Sequence, residues 1–196
     1  MKISKKNLIL ITISIVLISV LILLGFILIN HSTNSSNSTN KLKDSDIKKI
    51  IKNLDGAYSI CVVTEDNDPN GNLNKQGGYT GAVYFRLKQV DKKLKNEAIK
   101  NFGEEFVENG DWENNYDSFN NSCEAGTSAG GQIEIYPNKS DANKRNEYLS
   151  TLDGFLSGGY HVVKDTLVIR VSDELTSTQQ KEIANEIIEL ISTEKK

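Results

Sequence analysis

Residues 160–171 read YHVVKDTLVIRV. β-Branched and aliphatic side chains fill Tyr160–Lys164 and Leu167–Val171, and Lys164-Asp165-Thr166 is a short polar connection, so the stretch predicts a β-hairpin. In its second strand Leu167, Ile169 and Val171 share the core face while Arg170 points out. A hairpin means antiparallel pairing, and helical patterns lie on both sides of it. Downstream, Thr176 with Gln179 forms a capping box ahead of an apolar face made by Ile183, Ile187, Leu190 and Ile191. Upstream, Ser140 is placed to cap a helix running to about Leu152. Before that helix, Gln132–Tyr136 alternates. Ile133 and Ile135 lie on one side and Gln132, Glu134 and Tyr136 on the other, the pattern of a half-buried strand.

The same signals extend toward the N-terminus. Ile47, Ile50, Ile51 and Leu54 recur at helical spacing, with Asp44 or Ser45 as cap and Gly56 as stop. Tyr58–Val63 and Tyr79–Phe85 read as strands on either side of a polar, glycine-bearing loop at 64–78. Val90, Leu94, Ala98 and Phe102 predict a helix over about 90–102. Residues 103–122 have no period and read as a long loop. Helices placed between antiparallel strands give an α+β domain over 43–196, a mostly antiparallel sheet of about five strands packed with helices.

Ahead of this domain, residues 8–29, LILITISIVLISVLILLGFILI, carry no charge. About 22 residues at roughly 1.5 Å each span about 33 Å, enough to cross a hydrocarbon core. Lys2, Lys5 and Lys6 lie in the basic tip at 1–7, which predicts a single-pass membrane anchor at 8–30 with its N-terminus inside. The run is longer than a signal-peptide core and is followed by Asn30-His31-Ser32, with no small-residue cleavage site and no lipid-accepting cysteine. Residues 31–42 read as a flexible polar spacer, so 43–196 is expected outside the cell. Without the three lysines of the tip, 20 basic residues face 26 acidic ones, a net charge of −6. That balance argues against nucleic acid as a partner. The two cysteines, Cys61 and Cys123, are able to form one disulfide or to remain as two buried thiols.

Asp66, Asp68 and Asn70 alternate, Gly71 sits at the turn, and Asn72 offers a carbonyl, as in the first half of an EF-hand calcium loop. Position twelve, which should supply the bidentate acid, is Gly77. The same residue types also build ordinary turns. The string Glu65–Gly81, EDNDPNGNLNKQGGYTG, together with Gly126–Tyr136, Lys144–Asp153 and His161–Ser172, resembles a family of exported domains, many of them lipoproteins, in Gram-positive bacteria. An N-D-P-N turn and a G-G-Y-T strand start mark that family. The resemblance implies a small surface domain, with no activity and no catalytic residues to carry over.

Other patterns point to chemistry less directly. Gly126-Thr127-Ser128-Ala129-Gly130 matches G-x-S-x-G, with Asp153 and His161 following in hydrolase order. The nucleophile elbow, however, needs a strand before its serine and a helix after it, and here a strand follows. His161 alternates with Val163 on a strand face and fits a structural role. In 103–122, Glu104, Glu105, Glu108, Asp111, Glu113 and Asp117 surround Phe106, Trp112, Tyr116 and Phe119, a mixture able to grip a sugar or a cationic peptide. These readings converge on a membrane-anchored extracellular binding module for an envelope component or protein partner. Its ligand-binding residues are expected to be Asp66, Asp68, Asn70, Lys75, Tyr79 and Trp112, with calcium as a possible ligand of Asp66, Asp68, Asn70 and Asn72. The alternative is a cell-envelope hydrolase using carboxylates of 103–122 or of the 64–78 loop.

Overall fold

The computed structural model describes residues 42–108, 122–153 and 159–194. The apolar run 8–29, the spacer, Trp112 and the centre of the acidic-aromatic segment lie outside these residues. Among the described residues no helix is long and apolar enough to cross a membrane.

The elements run α1 (Asp44–Ile51), β1 (Ala57–Val62), β2 (Gly81–Leu87), α2 (Lys88–Phe102), α3 (Glu104–Glu108), α4 (Ser122–Ala125), β3 (Gly130–Ile135), α5 (Lys139–Ser150), β4 (His161–Lys164), β5 (Leu167–Val171) and α6 (Ser177–Glu194). The five strands form one sheet in the order β1-β2-β3-β5-β4, and every neighbouring pair is antiparallel. The fold is α+β, as the hairpin at 160–171 predicts.

Strand alternation divides the core in two. Val83, Phe85 and Leu87 of β2, Ile133 and Ile135 of β3, and Leu167, Ile169 and Val171 of β5 pack against Ile47, Ile50 and Ile51 of α1 and Ile183, Ile187 and Ile191 of α6. On the opposite face Ala82, Tyr84 and Val168 meet Cys123 of α4, Ala142 and Leu149 of α5, and Val63 and Tyr79 of the loop. Helices therefore cover both faces of the central strands. Gly131 is needed where β3 passes beneath Phe85, because a Cβ there would sit 2.4 Å from the ring and 2.6 Å from the Arg170 carbonyl.

Several boundaries differ from the sequence expectations for local reasons. The N-cap of α1 is Lys43, not Asp44 or Ser45. Asp46 reaches back to accept the Lys43 N–H at 3.0 Å and so satisfies an amide that the helix leaves orphaned. That helix ends at Ile51, and Gly56, at positive φ, turns the chain into β1. The cap of α5 is Asn138, not Ser140, its side chain accepting the Asp141 N–H at 2.9 Å. Residues 103–122 are not wholly loop, since α3 and α4 occupy their two ends. The capping box of α6 forms as read. Thr176 N–H donates to Gln179 at 3.0 Å and Gln179 N–H to the Thr176 hydroxyl at 3.3 Å.

The largest departure is β3, which is buried on both faces instead of one. Gln132 and Glu134 are wholly shielded from solvent, Gln132 meeting Thr127 and Arg170, and Glu134 meeting Arg145 of α5 and Tyr136. Arg170, read as outward-facing, turns into this polar layer, where it donates to Gln132 at 3.0 Å and lies 3.6 Å from Glu134.

Candidate functional site

The connection between β1 and β2 leaves the sheet at Val62 and returns at Gly81. Its base is covalently fixed. Cys61, at the end of β1, is disulfide-bonded to Cys123 of α4, with Cα atoms 5.6 Å apart. Asn67 folds back over this base, accepting the Thr64 N–H at 2.6 Å and donating to the Val62 carbonyl at 3.3 Å.

Asp68 organises the middle of the loop. Its carboxylate accepts the Asn70 N–H at 3.0 Å, the Leu73 N–H at 2.7 Å and the Tyr79 hydroxyl. Burial alone would raise this carboxyl, but the donors from Tyr79, Leu73 and Asn70 together outweigh it and hold it below its ordinary 3.8. The Tyr79 hydroxyl is pushed well up, first by burial and then by the bond it gives to Asp68. Asn70 donates from its side chain to the Tyr84 hydroxyl at 2.8 Å. Tyr84 is pushed up to about 12 by burial and by the nearby Glu134 carboxylate.

These contacts give several of the expected site residues internal partners. Tyr79, expected among the ligand-binding residues, is 1% exposed and serves as an internal donor. Asp68 is an internal acceptor, Asn70 is tied to Tyr84, and the Asn72 carbonyl accepts the Lys75 N–H at 3.2 Å. Of Asp66, Asp68, Asn70 and Asn72, only Asp66 is exposed with no hydrogen bond to another of the described residues. Among the described residues no group of three or more His, Cys, Asp and Glu side chains is placed to hold a metal ion. The loop instead presents Glu65, Asp66, Pro69 and Lys75 to solvent on a frame held from within.

The sign of the Asp68 shift fixes a pH window. A carboxyl depressed in the folded state contributes stability that is fully present above its unfolded value and lost as pH falls through the lower native value. Protection of the Leu73 and Asn70 amides, measured against their intrinsic exchange rates, should therefore be high above about pH 4 and fall below it. Asp68→Ala, which orphans three donors at a cost of about 1–3 kcal/mol, should make exchange fast throughout. Hydrogen exchange followed residue by residue checks both expectations.

Beneath the loop lies a charge cluster that strand alternation did not reveal. Arg145 of α5 donates to both Glu134 oxygens, each at 3.0 Å, and the Tyr136 hydroxyl donates to the same carboxylate at 2.8 Å. Burial works against the Arg145 charge, yet Glu134 outweighs it and Arg145 is raised. Tyr136 is pushed up by burial and by the same carboxylate. A basic residue in the following helix was the available signal, and it carries no information about which strand residue it meets.

His161 and Asp153, noted from the hydrolase-like order, do come together. His161 Nε2 lies 3.1 Å from the Asp153 carboxylate and Nδ1 lies 2.8 Å from the Asn146 side-chain oxygen. Ser128 is placed elsewhere. It sits in a single 3₁₀ turn at the start of β3, where its carbonyl accepts the Ser172 hydroxyl at 2.6 Å. The turn precedes a strand, so the nucleophile elbow is not built.

No family model, curated protein or solved structure matches this chain.

Proposed function

We propose that this chain is a membrane-tethered extracellular binding module that presents the 64–78 loop to a partner in the cell envelope. The observation that carries the reading is the loop's internal scaffolding. Asp68 gathers three donors from within the loop, and the Cys61–Cys123 bond pins the loop's base. A connection this long is usually either functional or without fixed structure. Here the ordering is already in place, which lowers the entropy a binding surface must lose on association. Membrane tethering rests on the apolar run 8–29 and its basic flank.

The loop's carboxylates give the hydrolase alternative little support. Asp68 is committed to its three donors, which leaves Glu65 and Asp66 as exposed neighbours rather than a pair set across a cleft.

Site-specific photo-crosslinking of the full chain on intact cells tests the proposal. A crosslinking side chain at Lys75 should yield a discrete adduct, whereas one at Lys95, exposed on α2, should not. Asp68→Ala should abolish the Lys75 adduct by loosening the loop. Equal adducts from both positions, or a Lys75 adduct unaffected by Asp68→Ala, would refute the reading.

A further inference from the structure

A second feature lies at the opposite edge of the sheet from β1. A groove of about 560 Å³ runs beside β4, between the C-terminal end of α5 and the first turn of α6. We propose that it is a separate binding site for an uncharged, hydroxyl-rich ligand, a short oligosaccharide.

The size is within the range of small-molecule sites, roughly 300–1,000 Å³. The lining chemistry narrows the ligand. Asn146, Ser150 and Ser177 supply neutral donors and acceptors, Tyr160 supplies aromatic surface, and among the described residues no aliphatic side chain takes part. Charges of both signs, Asp153 and Asp173 against Lys181, stand around the same opening. A polyanion would meet the two carboxylates and a polycation would meet the lysine, so neither is favoured over a neutral polar molecule. Hydroxyl groups both donate and accept, and a sugar's apolar face packs on an aromatic ring.

The frame is held in advance. Gln180 accepts the Tyr160 N–H at 2.9 Å and donates to the Leu175 carbonyl at 2.6 Å, which locks the entry to β4 onto the start of α6. His161 is fixed between Asn146 and Asp153 on the other wall. A ligand arriving here therefore loses little freedom in the site's own side chains.

The competing occupant is an extended peptide. The Val171 N–H bonds the Tyr160 carbonyl at 2.8 Å, so that carbonyl and the backbone groups of residues 162 and 164 turn toward β5, and His161 and Val163 turn theirs outward. That edge could accept a sixth strand, but strand addition takes its specificity from pockets for alternate side chains. Among the described residues the groove offers no apolar pocket of that kind.

Calorimetric titration of the full chain in detergent micelles with a β-1,4-linked N-acetylglucosamine tetramer tests the proposal. Saturable binding is expected. It should weaken about tenfold in Tyr160→Ala and stay near wild type in Tyr160→Phe, which keeps the ring. Lys181→Ala and Ser177→Ala, both at exposed positions, carry the same test if Tyr160→Ala does not fold, each with a measurable loss expected. Asp66→Ala in the loop should leave this binding unchanged, so failure here is distinct from failure of the loop reading. Absence of binding at millimolar tetramer would overturn the proposal. So would tetramer affinity unchanged in every folded groove variant, or displacement by an extended polar peptide whose own binding is lost in Val163→Pro.

Discussion

Arg145→Met should lower the stability of the folded domain by about 3–5 kcal/mol, the range for stripping the partner from a buried charge. Glu134 is wholly buried, and both of its oxygens accept from Arg145. Without that guanidinium the carboxylate keeps only the Tyr136 hydroxyl and the more distant Arg170, at 3.6 Å. The urea midpoint should fall with little change in slope. Combining Glu134→Leu with Arg145→Met should recover part of the loss, because the stripped carboxylate is gone and Arg170 keeps its bond to Gln132. A loss below about 1 kcal/mol for Arg145→Met, the size typical of an exposed ion pair, would show that Arg170 or solvent takes over.

The second large effect concerns the covalent link. Replacing both Cys61 and Cys123 by alanine should cost about 4 kcal/mol in the chain-entropy description of a loop this long. The two residues are separated by 62 positions, so the bond removes much of the freedom of the unfolded chain. Thermal unfolding of the oxidised wild type against the double variant measures the difference. The double variant should also show faster amide exchange at Thr64 and Asn67, whose hydrogen bonds sit at the base the bond secures. A melting temperature unchanged by the substitution would mean that α4 is held in place by its packing, without help from the bond.

The hairpin at 160–171, the amphipathic helices α1 and α6 and the Thr176–Gln179 cap were legible because each rests on neighbours in sequence. Strand β3 was only half legible. Alternation reports which residues are polar, not which face meets water. The polar face of β3 is dry because Arg145 arrives from α5 to neutralise Glu134, a pairing that no period in the sequence encodes. The loop shows the same limit. The composition of 64–78 marked Asp68 and Asn70 as oxygen-bearing residues. The geometry then spent those groups on Leu73, Tyr79 and Tyr84, leaving Glu65, Asp66 and Lys75 as the exposed surface. The order of Asp153 and His161 in the chain does not encode their 3.1 Å contact, which comes from the return of β4 beside the end of α5. Both cysteine outcomes stood open in the sequence, since only the fold brings their Cα atoms to 5.6 Å.

The Cys61–Cys123 bond also makes residues 61–123 a closed covalent ring containing the loop, β2, α2 and α3. A protease that cuts once inside that ring nicks the chain without dividing it. The two pieces stay joined through sulfur, and β2 stays clamped between β1 and β3. Wherever reductants are scarce, this protein can be severed once between Cys61 and Cys123 and remain a single molecule.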